Sequence, residues 1–466
     1  MNSRLFFLPA VLLLGGCTLG PDFQLPGATG GSKWKESQAT AGARLPDDWW
    51  RLFNDRDLNR LVDRALVSNN ELSAARARVE TSRALVGLDR AKLFPTLNLS
   101  GSAGISRSSA DSVTNGLPAA VKVDLQSERY RSTFDLAYDP DLWGRTKRSI
   151  EASEATAAAA EALFDSQRLG LATEVARQYF ILRGLDEQEA VVQETLKSRL
   201  EELDIQKSKT EAGLIDGLTS SRARTEVELA QNDLASVQRQ RGAAEHALAV
   251  LCGGRPSDFS VVPRSSPISL PAIRAGLPAE VLARRPDVRA AEQELRAANA
   301  RIGIAETAFY PNFNLTASGG LEALDAKRFL DWENRVLSLG AGVAAPLIDG
   351  GTNTSNYRAA RSRYDEALAK YRQTLLVALR EVEDALVDLK GYARSRAALE
   401  GALESSRETK RLSQERFDKG LTSYLDVVDS DRTVLQIRLA LSQLEAQQRI
   451  TLAALAKALG GGWSGK

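Results

Sequence analysis

The segment Phe94-Pro95-Thr96-Leu97-Asn98-Leu99 returns as Tyr310-Pro311-Asn312-Phe313-Asn314-Leu315, an offset of 216 residues from Pro95 to Pro311. Gly87 and Gly303 stand at the same offset, each in an Ala- and Arg-rich stretch that reads as helix. Further on, Glu211-Ala212-Gly213-Leu214 returns as Asp418-Lys419-Gly420-Leu421 at an offset of 207. From there the copies run without a gap to Gly253 and Gly460. One unit has been written twice, and each copy reads as helix, two strands, a long helix and a hairpin helix.

Period-two alternation marks the strands. Leu97, Leu99, Ala103 and Ile105 face one way, and Asn98, Ser100, Ser102 and Ser106 the other. Tyr130, Phe134, Leu136 and Tyr138 alternate with Arg131, Thr133, Asp135 and Asp139. In the second copy Phe313, Leu315, Ala317 and Leu321 alternate with polar residues, as do Leu337, Leu339, Ala341 and Val343 with small ones. Taken alone, such strands read as a soluble sandwich. The helices move that reading. From about Thr146 to Thr210 there is no proline, which gives a helix of roughly 100 Å at about 1.5 Å per residue, with irregularities expected at Gly170 and Gly184. Its counterpart runs from about Thr354 to Lys419. Val192, Leu196 and Leu203, then Leu425, Val428, Leu435 and Leu439, recur with coiled-coil spacing.

No apolar run after Leu14 is long enough to be a transmembrane helix. A membrane span must then be a closed β-barrel, because lipid offers nothing to an open strand edge. Four strands are too few to close one, so a membrane location requires several chains sharing a barrel.

The amino terminus points to the envelope. Leu5 to Leu14 is a short apolar run after Arg4, and it ends in Leu14-Gly15-Gly16-Cys17. This is the pattern of a lipoprotein signal peptide over residues 1–16, with Cys17 as the site of covalent S-diacylglycerol and N-acyl lipid. Thr18 follows, not the Asp that commonly retains such lipoproteins at the inner membrane. Residues 17–56 read as a lipid-anchored arm. Then come a first repeat over 57–254 with strands at 95–107 and 128–140, an irregular connector over 255–278, a second repeat over 279–460 with strands at 311–322 and 335–347, and a tail over 461–466.

Composition excludes several functions. Lys plus Arg is 61 against 60 for Asp plus Glu, so no net charge favours nucleic acid. One histidine, His246, and two cysteines leave no metal site or catalytic constellation of the common kinds. No Gly-rich phosphate loop is present. No cofactor, metal or catalytic residue is expected, and Cys252 reads as a small packed thiol.

Several longer motifs resemble the outer membrane factor family, the TolC-like efflux channels, in its NodT-type lipoprotein branch. They are Asp48-Trp49-Trp50-Arg51-Leu52-Phe53, Asp141-Leu142-Trp143-Gly144-Arg145, Arg284-Arg285-Pro286-Asp287-Val288-Arg289-Ala290-Ala291-Glu292 and Gly420-Leu421-Thr422-Ser423-Tyr424-Leu425-Asp426-Val427-Val428-Asp429. The resemblance covers essentially the whole mature chain. It implies a mainly α protein with transmembrane β: a homotrimer whose four strands per chain make a twelve-stranded outer-membrane barrel, continued by a helical periplasmic barrel. It implies a passive exit duct in a tripartite efflux system, in contact with outer-membrane lipid, with a periplasmic adaptor and an inner-membrane pump of the resistance–nodulation–division class as partners. A duct for protein secretion, or a periplasmic coiled-coil scaffold without a pore, would share some of these features.

Asp426 and Asp429 are three apart and so share a helix face. On spacing alone they read as solvated helix residues. The resemblance assigns them to the constricted periplasmic mouth, where three-fold symmetry would gather their carboxylates, with Leu425 as an apolar constriction and Arg432 pairing with Asp429 or a neighbouring chain. Asp431 would make the local charge denser. The equivalent of Asp429 in the first copy is Arg222, so only the second hairpin would carry the acidic ring. The resemblance also implies that the hairpin tips, Gly213 and Leu214 with Gly420 and Leu421, contact the adaptor. Tyr130, Tyr138, Phe313 and Trp332 are candidates for interfacial aromatic girdles.

Overall fold

The computed structural model describes residues 18–27, 33–36, 45–109, 125–265 and 268–461; Cys17 and the signal peptide lie outside these. The elements run α1 (Arg56–Ser68), α2 (Asn70–Ala91), β1 (Thr96–Arg107), β2 (Gln126–Tyr138), α3 (Arg145–Glu211), α4 (Gly217–Leu251), α5 (Pro278–Arg284), α6 (Pro286–Thr307), β3 (Asn312–Ala323), β4 (Arg335–Ala344), α7 (Thr352–Asp418) and α8 (Tyr424–Ala458). The repeat is kept to the residue in the long helices: α3 and α7 each have 67 residues, and α4 and α8 each have 35. Among the described residues no helix is long and apolar enough to cross a membrane.

The chain divides into two compact units. The first holds the four strands, which form one antiparallel sheet in the order β1-β2-β3-β4. Register puts Leu97 opposite Leu136, Leu99 opposite Phe134, Tyr138 opposite Leu315, and Ala317 opposite Leu339. Because side chains alternate along a strand, all these residues share one face. That face is bare: Leu99 is 66%, Phe134 57% and Leu339 78% exposed. The opposite face is polar, with Ser318 Oγ donating to Asp135 at 2.6 Å and Arg131 3.5 Å from Glu322. A soluble sandwich would cover the apolar face with a second sheet. The alternation read from the sequence therefore belongs to a membrane sheet. β4 ends at Ala344 and stops short of 347; Pro346 has no N–H to continue the ladder.

In the same unit the start of the arm is fixed. Arg148, almost fully buried, donates to the carbonyls of Leu19 and Gly20 and to Asp22, each at 3.0 Å. Gly20 lies against Gly303 so closely that a Cβ would fall 2.4 Å from the Gly303 Cα. At the turn after β2, the indole Nε1 of Trp143 donates to Pro311 O at 2.7 Å, and its ring packs on Tyr310.

The second unit has its core around the motif Trp49–Phe53, a short 3-10 helix whose Trp49, Trp50 and Phe53 pack with Tyr179, Phe180 and the apolar face of α1. Cys252 is buried there. Up to α5 the described residues of the connector are irregular apart from a short 3-10 turn, Pro256–Asp258, yet they are firmly held. Arg183 donates to Val262 O, Arg241 to Val261 O, and Asp186 pairs with both arginines. Trp34 also sits in this unit's core, donating to Gly276 O at 2.8 Å, so the arm is pinned as well as extended. The irregularities expected at Gly170 and Gly184 are absent, and α3 is unbroken. Gly184 serves a close crossing instead: a Cβ there would stand 2.7 Å from the Cβ of Ala446 on α8.

The Arg284–Glu292 motif has a mechanical role. The buried Arg285 donates to Ala458 O at 3.0 Å and pairs with Asp287 and with Glu381 at 2.7 Å, which ties the start of α6 to α7 and α8. Burial pushes the Asp287 carboxyl up, but the hydrogen bonds and charge of Arg285 outweigh this and hold it below the ordinary 3.8. The native state thus binds this proton less readily than the unfolded chain does. The stability Asp287 contributes is full above 3.8 and is lost as the pH falls through its lower native value. Asp287→Asn should lower the melting temperature at neutral pH and flatten its fall between about pH 5 and 3 relative to the parent, measured by thermal denaturation across that range.

Candidate functional site

Both hairpins turn by the same device. Gly213 and Gly420 take φ of +70° and +69°, a left-handed conformation that suits glycine. The Leu214 N–H then reaches back to Lys209 O, and the Leu421 N–H to Arg416 O, each at 2.9 Å. The two leucines that follow are left exposed. The next helix is capped differently in each copy. Asp216 accepts from the Thr219 N–H at the start of α4, whereas Ser423 at the same place on α8 makes no side-chain cap. There Thr422 Oγ1 donates to Asp426, whose charge lies in the first turn of α8, where a helix dipole favours an acid.

Helical spacing divides the start of α8 into two faces. Tyr424, Val427 and Val428 are buried with Leu203, Ala223 and Val227 of the first hairpin. Tyr424 also packs against Phe417 at 5.4 Å. Leu425, Asp426, Asp429 and Arg432 lie on the opposite, exposed face. The structure thus brings the residues singled out in the second hairpin onto one stripe.

Beside that apolar contact runs a chain of charges joining four helices. Lys410 on α7 pairs with Asp431 on α8 at 2.5 Å, and Asp431 with Arg199 on α3 at 3.3 Å. Arg199 pairs with Glu226 on α4 at 3.2 Å, and Glu226 with Arg432 on α8. Two expectations change here. Within the chain Arg432 reaches across to Glu226 of the first hairpin and not to Asp429, since a buried carboxylate is costly without a close cation. Asp431 does not thicken the acidic stripe, since Arg199 and Lys410 compensate it. Among the described residues the Asp429 carboxylate makes no ion pair within the chain, although its charge acts on Arg432.

Arg199 and Glu226 were not singled out from the sequence. The signal was there: Glu226 falls on the stripe of Ala223, Val227 and Ala230, and Arg199 between Leu196 and Leu203. A charge in an apolar stripe implies a buried partner. The lone His246 is exposed on α4. Among the described residues no group of His, Cys, Asp and Glu is arranged to hold a metal ion. Of the proposed girdle aromatics, Trp332 is exposed beside β4 and Tyr130, Tyr138 and Phe313 are half-buried on the apolar face. Removing one partner of a buried pair costs about 3–5 kcal/mol. Glu226→Gln should therefore loosen the second hairpin from the first, seen as faster limited trypsin cleavage at Arg416 and Lys419, whereas an exposed control such as Glu228→Gln should leave the rate unchanged.

Comparison with known proteins agrees with this geometry. The family model described as outer membrane efflux protein matches residues 61–254 and 277–461. The chain is 34% identical over 468 residues to the solvent efflux pump outer membrane protein SrpC of Pseudomonas putida, covering 98% of this chain and 97% of that one. It is 32% identical over 471 residues to outer membrane protein OprJ of Pseudomonas aeruginosa, covering 99% and 97%. The solved structure of the outer-membrane channel OprN superimposes with a TM-score of 0.86 at 31% identity, covering 96% of this chain and all of the other. With its bare-faced sheet and long paired hairpins, the chain belongs to the outer membrane efflux protein family and is the outer-membrane channel component of an efflux system.

Proposed function

We propose that three copies of this chain close one twelve-stranded barrel in the outer membrane and form a passive duct whose periplasmic mouth is held by the second hairpin. The observation that carries this reading is the sheet. Among the described residues its apolar face has no cover, and β1 and β4 each have an edge without a partner strand. Lipid can take the face, but only further strands can take the edges. Three copies of four strands satisfy both requirements within the range of known barrels.

In the second unit, the exposed stripe of α8 would meet its copies around an axis. Leu425 then narrows the passage, and Asp426 and Asp429 supply six carboxylates. Their side chains fill the mouth beside Leu425, and the links from Glu226 and Asp431 to the first hairpin hold the stripe in that place. The exposed tips at Gly213, Leu214, Gly420 and Leu421 are the natural contact for a periplasmic adaptor, which couples the duct to an inner-membrane pump of the resistance–nodulation–division class. That pump supplies the energy and the selection, and the duct transforms nothing. The solvent efflux relative favours small molecules over proteins as cargo. Cys17 carries the lipid, and the fixed stretch Thr18–Phe23 that follows it sets where that lipid enters the membrane.

In planar bilayers Asp426→Ala combined with Asp429→Ala should raise single-channel conductance several-fold, with the trimer band on unheated gels unchanged. Unaltered conductance from an intact trimer would overturn the gate assignment, and the absence of any channel-forming oligomer in the parent would overturn the duct.

A further inference from the structure

The repeat allows one seam of the assembly to be read from another. Advancing β1 by 216 residues and β2 by 207 carries ten of the twelve β1–β2 pairs onto the ten of β3–β4, and only Ser106–Ser127 and Arg107–Gln126 at the loop end have no counterpart. Thr96 opposite Ala137 becomes Asn312 opposite Ala344, and Ile105 opposite Glu128 becomes Leu321 opposite Arg335. The 207 offset then holds from Gly144 and Gly351 through both long helices to Gly253 and Gly460. The sheet is therefore a repeat of two strands, and β2–β3 is the place in the chain where one repeat ends and the next begins. In a closed barrel of copies, the other such place is β4 against β1 of the next copy.

We infer that β4 pairs antiparallel with β1 of the neighbouring copy in the register of β2–β3, setting Leu339 opposite Ile105, Ala341 opposite Ala103 and Val343 opposite Gly101. The corresponding pairs inside the chain are Ser132–Leu321, Phe134–Gly319 and Leu136–Ala317. The inference rests on the three-copy reading above and deepens it. On the other face the same register sets Ser338 opposite Ser106, Gly340 opposite Gly104 and Gly342 opposite Ser102. Over these six pairs apolar or small residues meet on one face and small or polar ones on the other, and at the loop end of the seam the register sets Leu337 opposite Arg107. A slip of one residue would turn every β4 side chain to the wrong face. A slip of two would keep the faces, and it is the internal seam that selects against it.

The two seams then differ in chemistry. Inside the chain Arg131 pairs with Glu322, and Trp143 is tied to Pro311 and Tyr310. The positions equivalent to Arg131 and Glu322 are Ser338 and Ser106, and Gly350 stands for Trp143. In place of the indole, Leu347 and Ile348 follow β4, 93% and 95% exposed, and Phe94 precedes β1, 69% exposed. The inferred register brings these ends together between copies. Apart from Arg107 at its loop end, the seam between copies is therefore uncharged, with small residues in the ladder and an apolar contact at its foot.

Cysteine pairs test this in the full-length protein. Cys252 can stay, since it is buried and burial pushes its thiol pKa up. Pairs on one face of an antiparallel ladder are all of the narrow or all of the wide kind, so one pair is placed on each face: Leu339→Cys with Ile105→Cys, and Ser338→Cys with Ser106→Cys. The same β4 cysteines are also combined with Ala103→Cys and Gly104→Cys, two residues out of register. Mild oxidation should give covalent trimers on reducing-agent-free, heated gels from at least one in-register pair, several-fold faster than from its offset partner. Faster linking of an offset pair overturns the register and leaves the shared barrel standing. No linking by any pair, with the trimer still present on unheated gels, removes the β4–β1 seam; no trimer at all removes the reading beneath it.

Discussion

A backbone N–H or C=O that meets hydrocarbon without a partner costs several kcal/mol, and the outer edges of β1 and β4 each present a row of such groups. Much else in the chain follows from that constraint. A soluble protein would blunt such edges with charge or proline or cover them; here they are long and regular and lead into a face of Leu, Ile, Phe and Val. The sheet is an unfinished object by itself, and its missing parts are lipid and more sheet. On the polar side Ser318 pairs with Asp135 and Arg131 with Glu322.

The two hairpins began as the same sequence unit and have been given different work. Their turns are superimposable in hydrogen bonding and glycine conformation, and their helices have equal lengths. The difference lies in a few side chains on the outward stripe, where Arg222 stands at the position of Asp429. What holds them together is a buried line of alternating charge from Lys410 to Arg432. Ion pairs of this sort contribute little net stability over an apolar isostere, but they are costly to break one-sidedly. Such a joint fixes one register between the hairpins, where a purely apolar contact could slide.

The fold was legible where one residue's side chain answers to one local rule. Alternation placed the strands, absence of proline and turn residues placed the long helices, and the returning Phe94–Leu99 segment exposed the repeat. The acidic stripe was legible too, because Asp426 and Asp429 are fixed on one face by helical geometry alone. What escaped were choices made between segments far apart in the chain. Gly184 looked like a weak point in a helix, yet it answers to Ala446 more than 250 residues away. Arg432 has Asp429 as its nearest acid in sequence, and the fold brings it Glu226. Trp34, in a stretch composed like a tether, is claimed by a carbonyl at Gly276. No local rule reads these, although a charge inside an apolar stripe marks where to look.

Equal helix lengths carry a consequence for how such a chain can change. Each residue in a helix advances it about 1.5 Å and turns it by about 100°. Deleting one residue from α3 alone would rotate everything beyond it, carrying Arg199 away from Glu226 and Asp431 and presenting the wrong side of the helix to α8. The same deletion made in both α3 and α7 would keep the tips level with each other, but the rotation would still have to be matched in α4 and α8. Substitution is therefore the tolerated currency in these helices, and length is not. Between the two copies the offset changes in one place, from 216 to 207, in the stretch that joins the strands of each pair and lies outside the helices.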